Sequence, residues 1–182
     1  MLDELAVLKL VIKRLESAGI SYMITGSVAT NFYTTPRMTR DIDIVINVNE
    51  DDTGKIYSLF SEDFYIDRDM IKDAIHRKQM FNIIHNESVI KVDFVVKKDT
   101  EYRKIEFERK RTIDFDGSMI YITSPEDLIL SKLYWAKDSL SELQFGDIKN
   151  ILTTLPDLDT DYLREWVVKL GLKEVFKRVV NK

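Results

Sequence analysis

Apolar residues recur at two different periods along this chain, and the switches between them predict its elements. Leu5, Leu8, Ile12 and Leu15 keep helical spacing, which predicts an amphipathic helix over residues 3–17 ended by Gly19. "ISYMIT" reads as a strand, Gly26-Ser27 breaks it, and "SVATNFY" suits a short helix. "TTPRMT" is a loop in which Pro36 forces an extended approach to a second strand, "IDIVINV". A helix follows over residues 51–60, with carboxylates in its first turn where the helix dipole favours them, and another over residues 67–78. "MFNIIH" and "SVIKVDFVV" form an antiparallel hairpin joined at His85-Asn86-Glu87. The alternation in "YRKIEFERK", within the charged stretch 97–111, predicts a strand with one solvated face, and "IDFDGSMIYI" a hairpin turning at Asp116-Gly117.

From residue 123 the period is helical throughout. "SPEDLILSKLYWAK" opens with Ser124 as N-cap, Pro125 at the first helical position and Asp127 three residues after the cap. "ELQFGDIKNILTTL", "DTDYLREWVVKLG" and "KEVFKRVV" continue as helices, Gly146 being a weak point in the first and Gly171 the stop of the second. Trp135, Tyr162 and Trp166 sit among leucines at helical spacing and are expected in the core. There are no repeats and no low-complexity linker. The organisation is an α/β front over 1–122 and a helical back over 123–182.

Composition narrows the chemistry. The chain has 182 residues, 45% of them hydrophobic, enough to bury a real core. Its 27 Lys+Arg and 31 Asp+Glu leave a net charge of −4, which argues against binding along nucleic acid by bulk charge. Absence of cysteine excludes disulfides, thiolate metal sites and a Cys nucleophile. His76 and His85 are too few for most histidine metal sites. Charged residues interrupt the N-terminal apolar positions, so no signal peptide is expected, and no apolar run reaches the length of a bilayer span. A soluble cytoplasmic protein with no membrane partner is expected.

Carboxylates in a strand pattern carry the chemistry. Asp41 and Asp43 lie two apart in an apolar run and so share a face. Side by side they repel, unless a divalent cation sits between them, and Asp oxygens suit Mg²⁺. Asp93 stands between Val92 and Phe94 in another apolar strand. If that strand lies beside residues 41–47, three carboxylates converge, a geometry able to hold one or two Mg²⁺ for displacement at phosphorus. Gly26 and Ser27 follow a strand and open a helix, where free N–H groups and close backbone approach suit phosphate, and Arg37 and Arg40 add charge from the connecting loop. Taken singly each feature has a plain reading: a solvated strand end, a turn, a paired structural aspartate. His76-Arg77-Lys78 reads as a solvated helix end rather than a nucleic-acid contact, and Arg109-Lys110-Arg111, interleaved with Glu106 and Glu108, as a charged strand face.

The ordered combination of Thr25-Gly26-Ser27, Asp41-Ile42-Asp43-Ile44 and the later Asp93 resembles the nucleotidyltransferase superfamily, the DNA polymerase beta-like fold; Thr25 replaces its usual apolar residue. "SPEDLILSKLYWAKDSLSELQFGDIKNIL" and "TPRMTRDIDI" look like the corresponding segments of AbiEii-type and MenT-type toxin nucleotidyltransferases and related groups, whose helix Lys and following-helix Asp match Lys132 and Asp147. Read without that likeness, Lys132 either extends to water or places a charge on a triphosphate, and Asp147 is solvated or orients it. The resemblance covers roughly residues 20–155. It implies a mixed-sheet nucleotidyltransferase core with a C-terminal helical bundle. It also implies Mg²⁺- or Mn²⁺-dependent transfer of a nucleoside monophosphate from an NTP, with pyrophosphate released. Asp41, Asp43 and Asp93 would bind metal, Asp93 as base or shared ligand. Gly26, Ser27, Arg37, Arg40 and Lys132 would hold the nucleotide, with Asp147 behind Lys132. The acceptor would be RNA (a tRNA end) or a protein, as in a toxin–antitoxin or abortive-infection system with an antitoxin partner. A small-molecule acceptor of the antibiotic kind and a non-catalytic nucleotide-binding module remain as alternatives.

Overall fold

The computed structural model describes residues 3–39 and 41–180. Helix α1 (Glu4–Ser17) starts at Asp3, whose carboxylate accepts the Ala6 N–H at 2.8 Å. Its apolar stripe, Val7, Leu8, Val11, Ile12 and Leu15, is buried. Then come β1 (Ser21–Thr25), α2 (Gly26–Tyr33) and β2 (Asp41–Asn47). A 3₁₀ turn at Glu50–Asp52 leads into α3 (Thr53–Phe60), β3 (Phe64–Tyr65), α4 (Arg68–Arg77), β4 (Met80–His85) and β5 (Lys91–Val96). The front closes with α5 (Glu101–Glu108), β6 (Arg111–Phe115) and β7 (Ser118–Ile122). Four helices follow: α6 (Pro125–Ser139), α7 (Glu142–Thr154), α8 (Thr160–Lys169) and α9 (Lys173–Val180).

All seven strands of the described residues join one mixed sheet in the order β3-β4-β5-β2-β1-β7-β6. β2 lies at its centre, antiparallel to β1 and parallel to β5. The period-2 rule sorts the faces. Ile42, Ile44 and Ile46 of β2 and Val92, Phe94 and Val96 of β5 are all fully buried on one side. Asp41, Asp43, Lys91 and Asp93 stand on the other. A single apolar cluster takes in α1, the sheet and Leu128, Ile129, Ile148, Ile151 and Trp166 of the later helices. The Asp116-Gly117 turn has both residues at positive φ, 54° and 79°, which a two-residue hairpin of this hand requires. Ser124 caps α6 as expected, accepting the Asp127 N–H at 3.2 Å.

Three expectations need correction. The stretch "YRKIEFERK" is not a strand: residues 101–108 form α5. Tyr102 and Glu106, four apart, are buried on one helical face. Glu106 is a charged core residue, accepting from Arg103 at 2.7 Å and from the Ser131 hydroxyl at 2.6 Å, so the polar–apolar alternation of this stretch does not follow its burial. Arg109-Lys110-Arg111 is accordingly not one strand face, since Arg109 caps α5 and reaches Asp127 at 3.1 Å. Trp135 is 65% exposed rather than core, unlike Trp166 at 5%. The two-residue β3 was not expected; it is too short to show a period.

Candidate active site

The sheet register sets the site. Asp43 of β2 is the direct partner of Asp93 on β5 and of Thr25 on β1, and Asp41 is the partner of Lys91. Three carboxylates therefore share one patch of the sheet, as expected if the two strands were neighbours. Lys91 lies among them: its Nζ is 2.8 Å from Asp93 Oδ2 and 3.6 Å from Asp41 Oδ2. Asp93 Oδ1 is buried and has no hydrogen-bond partner. Burial first, then the neighbouring charges of Asp93 and Asp41, pushes the Asp43 carboxyl up to about 6.

Gly26 abuts this patch. Its φ is +64°, and a Cβ there would lie 2.0 Å from Asp43 Oδ2. No side chain caps the start of α2, so its first-turn N–H groups have no acceptor from the cap residue, and Gly26 and Ser27 of that turn line a cavity. Ser27 Oγ accepts from Arg37 Nη2 at 2.7 Å, which leaves its own proton free to donate. Arg37 is fixed by Asn31, through bonds in both directions with its backbone, and by a two-point ion pair with Asp147, both contacts at 2.9 Å.

Lys132 does not reach water. Its side chain is 4% exposed, and its Nζ bonds Asp147 Oδ2 at 2.8 Å and Gln144 Oε1 at 3.2 Å. Burial draws the Lys132 ammonium below its ordinary pKa, partly opposed by Asp147. Burial acts against the Asp147 charge as well, yet the bonds from Arg37 and Lys132 hold its carboxyl below the usual range. Asp147 thus ties α7 to α6 and to the loop before β2. Gly26, Ser27, Asp43, Lys132, Gln144 and Trp135 line one cavity of about 290 Å³. A second, of about 320 Å³, adjoins it across Thr25, Met80, Val95, Ser131 and Trp135. Arg40 lies outside the described residues.

The donor set fits a divalent cation. An orphaned buried carboxylate oxygen on Asp93, and the cost to Asp43 of burial and then of its like-charged neighbours, are what a bound cation relieves. Among the described residues, however, no three His, Cys, Asp or Glu side chains close into a ready cage. Sequence reasoning missed Lys91, Gln144 and the cavity role of Trp135. Lys91 was within reach of the period-2 rule, since it sits two before Asp93.

Family models and curated proteins give no match to this chain. Solved structures do. An antigenic nucleotidyltransferase-like protein from Paracoccidioides brasiliensis aligns over 96% of this chain and 90% of its own, at 18% identity and a TM-score of 0.54. The lincosamide antibiotic adenylyltransferase LnuA, with lincomycin bound, aligns over 81% and 96%, at 16% identity and 0.56. ANT(2")-Ia in complex with adenylyl-2"-tobramycin aligns over 93% and 97%, at 11% identity and 0.60. The seven-stranded mixed sheet and these neighbours agree: this chain has the nucleotidyltransferase fold.

Proposed function

We propose that this protein is a metal-dependent nucleotidyltransferase that moves a nucleoside monophosphate from an NTP to an acceptor hydroxyl. The observation that carries the reading is the in-register pair Asp43 and Asp93 on parallel strands, with Asp41 on the same face and the Gly26 turn against Asp43. Asp41, Asp43 and Asp93 would hold Mg²⁺ or Mn²⁺, which when bound polarises the phosphate oxygens and offsets developing charge.

The rest is the work of this chain's own residues. The first-turn N–H groups of α2 and the Ser27 hydroxyl take phosphate oxygens. Lys132 and Arg37, both braced by Asp147, set positive charge beside the cavity. The acceptor oxygen bonds to the α-phosphorus, the bond to the departing pyrophosphate breaks, and the acceptor proton passes to the Asp93 carboxylate. Residues 1–122 would form the nucleotide-binding core and 123–182 the helical wall of the cleft.

A specific observation favours a small acceptor: the adjoining cavity of about 320 Å³ is of the size that encloses drug-sized ligands. The antibiotic adenylyltransferases among the neighbours are consistent with it. The likeness to AbiEii-type and MenT-type toxins favours an RNA or protein acceptor and an antitoxin partner. Incubation with each α-³²P-labelled NTP and Mg²⁺, against total RNA, cell extract and an aminoglycoside–lincosamide panel, decides. Label on an acceptor with wild type and none with Asp41→Ala/Asp43→Ala supports the reading and names the acceptor class. NTP binding without any transfer supports a non-catalytic module instead.

A further inference from the structure

The carboxylate patch contains a cation of its own, and this bears on how many metal ions the site takes. Asp41 faces Lys91, and Asp43 faces Asp93, in consecutive same-face positions of the two parallel strands. The four side chains make a square, three corners acidic and one basic. The Lys91 ammonium lies between Asp41 and Asp93, 3.6 and 2.8 Å from their Oδ2 atoms, where a cation bridging those two carboxylates would sit. Other nearby positive side chains are engaged elsewhere. Lys132 is held by Asp147 and Gln144, and Arg37 by Asp147 and Ser27.

Charge decides how much room is left. Three carboxylates and one ammonium leave two net negative charges on the patch, which one divalent ion neutralises. A second divalent ion would face an ammonium already in contact with two of its three ligands, and these like charges, a few ångströms apart, repel. The oxygens Lys91 leaves open are those of Asp43, Oδ1 of Asp41 and Oδ1 of Asp93, a set that one ion and its waters can share.

We propose that Lys91 is a resident cation taking the place of one of two metal ions, so that the patch accepts a single divalent cation. The inference rests on the nucleotidyltransferase reading of the patch. It makes Lys91 a positioning residue: it fixes Asp93 through Oδ2 and keeps Oδ1 free.

The test is Mn²⁺ binding to this chain, followed by electron paramagnetic resonance, with Lys91→Ala, Lys91→Gln and Lys91→Arg beside wild type and circular dichroism confirming each fold. Wild type and Lys91→Arg should bind one Mn²⁺ per chain with an uncoupled spectrum. Lys91→Ala and Lys91→Gln should bind two, with the broadening of a spin-coupled pair. Two coupled ions in wild type, or one ion with unchanged affinity in every variant, would overturn the proposal and leave the metal site standing. No Mn²⁺ bound by wild type or by any variant would remove the metal-site reading itself, and the proposal with it.

Discussion

Gly26 and Asp43 are so close that a single added carbon on the glycine would stand 2.0 Å from Asp43 Oδ2. The clash meets the tip of a side chain, which can swing, so the fold survives and the carboxylate does not stay in place. Gly26→Ala also puts a side chain at φ +64°, a strain of about 1–2 kcal/mol. The expected outcome is a modest loss in urea stability and a disproportionate loss of transfer, on the order of 100-fold, as for other small misplacements of reacting groups. A variant of full activity would show that Asp43 is not where the chemistry happens.

How far this could be read from the sequence follows from what each rule sees. Asp41 and Asp43 were legible because period 2 puts them on one face, and Gly26 because a strand stops there. Asp93 needed one further fact, that β5 lies directly beside β2, which no local pattern states. Lys91 shows a different limit. Period 2 puts it on the same face as Asp93, yet a lysine among carboxylates carries no metal-ligand signal of its own. Glu106 and Trp135 invert the usual burial of their types: the acid is buried because Arg103 and Ser131 satisfy it, and the indole is exposed because it walls a cavity. Ser131 comes from α6, 25 residues on, and leaves no trace in the local pattern; Arg103, one turn back on α5, shows as a neighbour only once that stretch is seen to be a helix.

Lys132 and Asp147 form a pair with unequal members. Asp147 keeps Arg37 when Lys132 is lost, whereas Lys132, without Asp147, keeps only the amide of Gln144. Asp147→Asn should therefore cost about 3 kcal/mol, the low end for a buried pair broken at one side. Lys132→Met, which keeps the packing, should cost clearly less while still lowering transfer. Equilibrium urea unfolding of both variants checks the order; equal losses would mean that Arg37 contributes nothing at Asp147.

Asp43 should trade stability for function, with a defined pH signature in metal-free buffer. Its carboxyl is raised from 3.8 to about 6, so between those values the folded chain holds a proton the unfolded chain has released. Stability is then fully present below the unfolded pKa and is lost as pH rises through the folded one. The shift amounts to about 3 kcal/mol above that window. In EDTA at pH 8, Asp43→Asn should be the more stable protein by up to about 3 kcal/mol, and the difference should vanish near pH 4. Adding Mg²⁺ or Mn²⁺ should stabilise wild type selectively. Thermal melts across pH, with and without metal, give both results; a variant less stable than wild type in EDTA at pH 8 would contradict the cost of holding a buried charge beside Asp93 and Asp41.

Trp135 reports on the cleft directly. It is 65% exposed, stands in the wall shared by the two cavities, and has Tyr134 beside it only in the second. Trp166, the chain's other tryptophan, is buried, so quenching by acrylamide should act on Trp135 and be relieved when a ligand fills the cleft. Trp135→Ala removes a contact surface and nothing the core needs, so stability should stay within about 0.5 kcal/mol of wild type. An aromatic face stacked on a ligand is worth about 1–3 kcal/mol, so KM should rise at least several-fold with kcat preserved. The rise should be larger for the acceptor than for the NTP, because the two aromatics meet in the second cavity. Steady-state kinetics with both substrates varied measures the split; a fall in kcat at unchanged KM would place Trp135 against the reacting atoms instead.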